Sequence, residues 1–165
     1  MSLALSPLQQ ELIVEFGNIY ENYGLQRIKG LIVGLLLGQA EPMSLDDIVE
    51  CLARSKGPIS TAVRELSTTG ILRKVAGPEN RRDYYTIHPD LFFNNFMFNM
   101  QTVRRNRRTA EQFLQEVERN GAGESHLVRN LTHMQMFYTL MESFYGDFAE
   151  AWKKVRPNGG REEST

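Results

Sequence analysis

Apolar residues recur at helical spacing along most of this chain and form strand-length runs in only one short stretch. Leu8, Leu12, Phe16, Ile19 and Tyr23 keep a period of three to four residues. Ser6-Pro7 ahead of them supplies an N-cap and a proline at the first helical position, and Gly24 supplies a stop. A second helix is predicted from Leu25 to Gly38, with Ile28, Ile32, Leu35 and Leu36 on its buried side. It is apolar nearly all round, so it belongs deep in a domain. The third, Ser44–Ala53, opens with Ser44 as N-cap and Asp47 at the capping-box position, and turns Leu45, Ile48, Val49 and Leu52 inward. After a turn at Arg54-Ser55, Lys56–Thr69 carries Ile59, Val63 and Leu66 as its buried stripe, and Gly70 ends it.

The period then changes. Gly70–Ala76 and Asp83–His88 read as two short strands joined by the tip Gly77-Pro78-Glu79-Asn80-Arg81-Arg82. Helix, turn, helix and a basic hairpin, in that order, make a winged helix-turn-helix, a common device for reading duplex DNA. Beyond Pro89 the helical period returns. Phe92, Phe93, Phe96, Met100 and Val103 run on to Phe113, Leu114 and Val117, with a break at Asn120-Gly121-Ala122-Gly123. A last helix carries Leu127, Leu131, Met134, Tyr138, Met141, Phe144 or Tyr145, Phe148 and Trp152.

The expected fold is therefore mainly α with a small β-hairpin wing, flanked by long N- and C-terminal dimerisation helices. Residues 1–24 form the N-terminal dimerisation helix and 25–91 the DNA-binding domain. Residues 92–156 form the C-terminal dimerisation region and 157–165 a disordered tail. So many aromatics on the last helices exceed what one small winged helix can cover. A second copy of the chain is the expected partner, and a two-fold dimer would set two recognition helices about 34 Å apart, one DNA turn.

Composition narrows the class without changing the fold. The chain has 165 residues, 41% hydrophobic and 24% charged, which excludes a disordered protein. The most apolar run, Gly30–Gly38, is about half the roughly 20 residues a membrane span needs. The start MSLALSPLQQ lacks the features of a secretory signal, and the lone Cys51 cannot form an internal disulfide, so the expected location is the cytoplasm.

The net charge of −1 hides an uneven distribution. From Arg54 to Arg82 there are seven Lys or Arg against two Glu. On the Lys56–Thr69 helix the face opposite the apolar stripe carries Gly57, Ser60, Thr61, Arg64 and Thr68. Glycine and short hydroxyls permit close approach to a groove floor, and Arg64 can reach a guanine edge or a phosphate. Lys56 lies beside the free N–H groups of a helix N-terminus, where a phosphate fits. Arg73 and Lys74 follow on the first strand, and Arg81 and Arg82 at the tip suit a narrow minor groove. A solvated helix face and a charged edge that blocks aggregation are the bland alternatives. Both signals occurring together, on elements in the right order, favour DNA. Arg104–Arg108 could touch flanking phosphates, but a solvated helix turn is the plainer reading.

The stretch 12–92 resembles the MarR-like winged-helix regulators, and within them the branch that includes the regulator of glycine-betaine synthesis. The resemblance rests on Ser44-Leu45-Asp46-Asp47-Ile48, Ser55-Lys56-Gly57, Arg64-Glu65-Leu66, Gly70-Ile71-Leu72-Arg73-Lys74-Val75 and Arg81-Arg82-Asp83-Tyr84-Tyr85, with Tyr23-Gly24-Leu25 and Gly30 upstream. It implies a homodimeric, sequence-specific repressor of a pseudo-palindromic operator, modulated by a small effector. The chain departs from the pattern at Ala53-Arg54, where Gly-Val is frequent, at Pro58, and at the wing tip.

Other chemistries find little support, and no catalytic residue, metal or cofactor is expected. His88, His126 and His133 have no metal-ligand spacing. Cys51 reads as a buried structural thiol rather than a redox sensor. Tyr20, Tyr23, Phe92, Phe96 and Tyr138, with Phe93 and Tyr145, could surround a quaternary ammonium effector by cation–π attraction. A dimer core filled by large rings is the plainer reading. The rival to an operator-binding regulator is a winged helix used for protein interaction or as an architectural chromosome protein. The first would show an apolar or acidic recognition face and the second apolar wedges; neither is present.

Overall fold

Ser6 caps the first helix: its Oγ accepts from the Gln9 N–H, while the Gln9 side chain accepts from the Ser6 N–H at 2.9 Å. In a computed structural model, which describes residues 5–79, 81–121 and 125–156, this helix is α1 (Pro7–Asn22). It ends as expected, with Gly24 at φ +70° two residues beyond. α2 (Arg27–Leu37) lies against it so closely that a Cβ on Gly30 would stand 2.2 Å from the Phe16 carbonyl oxygen. Every residue from Gly30 to Leu36 is buried, as the all-round apolar character predicts.

α3 (Leu45–Leu52) starts from the Ser44–Asp47 capping box, and α4 (Lys56–Thr68) follows. Ile32, Val33, Leu35, Ile48, Ile59, Val63, Leu66 and Leu72 exclude solvent almost completely and make the core of the first unit, which runs to Asn95. Ile28, Leu45, Val49 and Leu52 pack on its margin.

The sheet has one strand more than the expected hairpin. β2 (Leu72–Val75) and β3 (Tyr84–Ile87) pair antiparallel, and β1 (Met43–Ser44) pairs antiparallel on the far side of β3, giving the order β1-β3-β2. Two residues are too few to show a period, and Ser44 already reads as a cap. Gly77 lets the hairpin loop cross the buried Tyr84 ring, whose Cδ2 would lie 2.0 Å from an added Cβ. Past the hairpin, Asn94 donates to the Gly70 carbonyl at 2.7 Å, and His88 Nδ1 accepts from the Asp90 N–H at 3.0 Å.

α5 (Leu91–Asn120) crosses the boundary into the second unit, which begins at Phe96. There it forms an antiparallel pair with α6 (Ser125–Val155). Phe96 stacks on Tyr145 at a centroid distance of 4.4 Å and meets Phe148, tilted by 44°, at 4.5 Å, and Met100, Val103, Ala110 and Ala149 are buried. Arg104 and Arg107 each donate to Glu142 at 2.8 Å, and Arg107 also pairs with Glu111. This departs from the solvated turn expected at Arg104–Arg108: charges spaced three apart reach a carboxylate on the neighbouring helix and are half-buried, while Arg105 and Arg108 stay exposed. The expected disordered tail, 157–165, lies outside the described residues, as do Ala122 and Gly123 of the expected break.

Candidate nucleic-acid interface

Two contacts and a turn set the position of α4. Its apolar stripe, Ile59, Val63 and Leu66, is locked into the core. Lys29 of α2 pairs with Glu65 at 2.6 Å. Ala53, left-handed at φ 48°, turns the chain sharply between α3 and α4. Ser55 stands at the N-cap without a side-chain hydrogen bond, so the first-turn N–H groups of α4 face outward unclaimed by a cap. Pro58 falls within that turn, where a missing donor breaks no helical hydrogen bond.

All ten residues singled out for DNA contact are exposed: Lys56, Gly57, Ser60, Thr61, Arg64, Thr68, Arg73, Lys74, Arg81 and Arg82. A Cβ on Gly57 would meet nothing within 4 Å, so the fold itself does not require glycine there. The Thr68 hydroxyl donates to the Arg64 carbonyl at 2.9 Å, which leaves it free only as an acceptor.

The structure draws four of the ten together. Ser60, Arg64, Thr68 and Lys74 line one open groove of about 460 Å³ between α4 and the hairpin. Leu45, Ser67 and Tyr85 complete it; the sequence pattern puts Leu45 on the core side and assigns none of the three to DNA. Ser67 could have been found, since it stands seven residues after Ser60 on the same helical face. Tyr85 needed the strand register, which pairs it with Lys74. Arg73 does not join them: it alternates with Lys74 along β2 and so leaves the sheet on the other face.

The cations also differ in their partners. Lys56 pairs with Asp46 at 2.7 Å, Lys74 with Asp83 at 2.6 Å, and Arg82 with Glu79 at 3.2 Å. The Lys56 ammonium, with a smaller contribution from Arg82, holds the Asp46 carboxyl below the usual carboxylate range. Asp83 likewise pushes the Lys74 ammonium up. Among the described residues no ion pair reaches Arg64, Arg73 or Arg81.

The aromatic residues proposed for an effector divide between the two units. Tyr20, Tyr23 and Phe92 belong to the first; Tyr20 packs on the core, where burial pushes its phenol up, while Tyr23 and Phe92 are exposed. Phe96 and Tyr138 belong to the second, where Phe96 is covered by Tyr145 and Phe148 and Tyr138 meets Phe137 edge-on. Cys51 packs on the core margin, and burial pushes its thiol up, away from the reactive thiolate. Among the described residues, no group of three His, Cys, Asp or Glu could hold a metal ion, and no helix is long and apolar enough to cross a membrane.

Comparison with known proteins supplies context for this surface. A crystal structure described as that of a transcriptional regulator superposes with a TM-score of 0.77 at 25% identity, covering 90% of this chain and 99% of its own. This is a winged-helix fold of the kind transcriptional regulators use. Within the winged helix, α4 takes the place of the recognition helix and β2-β3 that of the wing. The chain is 31% identical over 91 residues to the HTH-type transcriptional regulator MmpR5 of Mycobacterium tuberculosis, covering 54% of this chain and 55% of the relative. It is 26% identical over 84 residues to the HTH-type transcriptional repressor OpcR of Bacillus subtilis, covering 51% and 45%. The chain thus spans about half the length of the curated relatives it matches. These relatives are transcriptional regulators, not enzymes. No family model matches the chain.

Proposed function

We propose that this winged helix is a homodimeric, sequence-specific regulator that binds double-stranded DNA in the cytoplasm and represses from a pseudo-palindromic operator. The observation that carries the reading is the groove between α4 and the wing, where Ser60, Arg64, Thr68 and Lys74 share one exposed surface. In such an arrangement Ser60, Thr61 and Arg64 read base edges in the major groove. Lys56, Lys74, Arg81 and Arg82 neutralise phosphates. The relatives' printed roles, regulator and repressor, agree with it. The resemblance to MarR-like regulators, and to their glycine-betaine branch, supports extending the reading to a small effector. Such an effector controls operator affinity only if it binds the free and DNA-bound forms differently.

Unpartnered apolar surface supports the dimer. Met136, Leu140 and Phe144 recur every four residues along α6 at 63%, 72% and 64% exposure, beside exposed Phe137. Contiguous apolar surface of this kind marks an interaction site.

The test is binding of the purified protein to the DNA upstream of its own gene and to a scrambled duplex, at two salt concentrations. A preference of about 10³ or more that persists as salt rises supports an operator. Equal, salt-sensitive binding to both duplexes overturns sequence specificity and favours the architectural alternative.

A further inference from the structure

Three of the five cations on the proposed DNA face, Lys56, Arg64, Lys74, Arg81 and Arg82, already have a carboxylate partner. Lys56, Lys74 and Arg82 are held by Asp46, Asp83 and Glu79, whereas Arg64, in the middle of α4, is not paired among the described residues. The pairs sit at the N-terminus of α4 and on the wing, where phosphates would pass, and all six paired side chains are more than half exposed. Asp46 is not needed to start its own helix, because Asp47 closes the capping box. It also lies near enough to the wing for Arg82 to act on it electrostatically.

Resting on the DNA-binding reading above, we infer that Asp46 and Asp83, with Glu79, are specificity-determining residues. They form a carboxylate screen that weakens binding to DNA of arbitrary sequence more than binding to the operator. Arbitrary-sequence binding comes almost entirely from cations that displace condensed counterions from phosphates. A lysine already neutralised by a neighbouring carboxylate displaces less, and the carboxylate it leaves behind then faces a phosphate of the same sign. On the operator, base-edge contacts from Ser60, Thr61 and Arg64 fix one docking register, in which Lys56, Lys74 and Arg82 turn from their carboxylates to particular phosphates; on arbitrary DNA no register is fixed and the pairs stay closed.

The experiment uses the full chain carrying Asp46→Asn and Asp83→Asn together, which preserves side-chain shape. Its affinity is measured for an operator selected from random DNA by the wild-type protein, and for a scrambled duplex, across a salt series. The expected result is an increase of about tenfold on the scrambled duplex at low salt, from two unit charges removed near phosphates. Its salt slope should steepen by about two. The operator should gain less, so that the preference narrows. The charge-preserving pair Asp46→Glu and Asp83→Glu should keep the wild-type preference, and Glu150→Gln, which removes a carboxylate from the second unit, should leave it unchanged. An equal gain on both duplexes, or no gain with an unmoved melting temperature, overturns the screen and leaves the DNA-binding reading standing. A wild-type protein that selects no sequence and binds neither duplex overturns both.

Discussion

Arg64 combines three properties that the other cations share only in part: the middle of an exposed helix face, a place in the groove, and no ion-pair partner among the described residues. A free guanidinium there can give both donors to a guanine without first leaving a carboxylate. Arg64→Ala should therefore cost about 1–3 kcal/mol on the best operator and relax the sequence preference, while Lys56→Ala, at a phosphate contact, should weaken binding without changing which base is preferred at any position. Anisotropy titrations on matched and mutated sites measure both, and equal losses for Arg64→Ala on every duplex would reduce it to a backbone contact. Ala53 poses a different question at the same scale. It is the one non-glycine residue at positive φ among those described, at the turn where MarR-like chains frequently carry glycine. A left-handed L-residue is strained by about 1–2 kcal/mol, of which glycine's greater freedom in the unfolded chain returns part. Ala53→Gly should raise stability by about 0.5–1 kcal/mol, seen as a higher urea midpoint at constant slope. A lower midpoint would mean that the turn holds Ala53 through its methyl group.

Among the elements, the α5–α6 pair depends on electrostatics that can be titrated. Glu142 receives Arg104 and Arg107, and their hydrogen bonds, Arg107's first, hold its carboxyl below the usual glutamate range. Folding thus favours the carboxylate form. The stabilisation is fully present above glutamate's unfolded range and is lost as pH falls through the lowered folded value. Wild-type protein should lose more stability between neutral pH and the lower carboxylate range than Glu142→Gln does; identical pH profiles in urea unfolding would show that the pairs contribute nothing. The elements themselves were largely legible in the sequence. Ser6-Pro7 and Ser44-Asp47 announce their helix starts by local hydrogen bonds, and Gly30–Leu36 announces its burial by composition. What escaped was long-range. β1 exists only because Met43 and Ser44 lie against Tyr85 and Tyr84. The clusters read as free positive charge are partly neutralised by carboxylates ten, nine and thirty-five or more residues away in the chain. Basic residues can be counted from sequence, but their partners require the register and the helix pairing.

For the whole molecule, the decisive quantity is how binding by one winged helix relates to binding by two. One recognition helix and one wing hold few phosphates, and three of their five cations are already paired. A dimer converts the second half-site into an intramolecular contact and multiplies affinity by about 10²–10⁴ without any new interaction. The exposed row Met136, Leu140 and Phe144 on α6 supplies the apolar surface for that association, and a stable interface needs roughly 800 Å² from each partner. Leu140→Glu places a charge where the second copy should pack, and Leu140 is 72% exposed, so the single chain should fold as before. The variant should sediment as a monomer with an unchanged circular dichroism spectrum and lose about 10²-fold or more on the full operator. Its affinity for an isolated half-site should be untouched. A variant that remains dimeric would move the interface to another surface, such as exposed Leu8, Val14 and Ile19 on α1. A wild-type chain that sediments as a monomer and still prefers a two-half-site operator would mean that the DNA, rather than α6, brings the copies together.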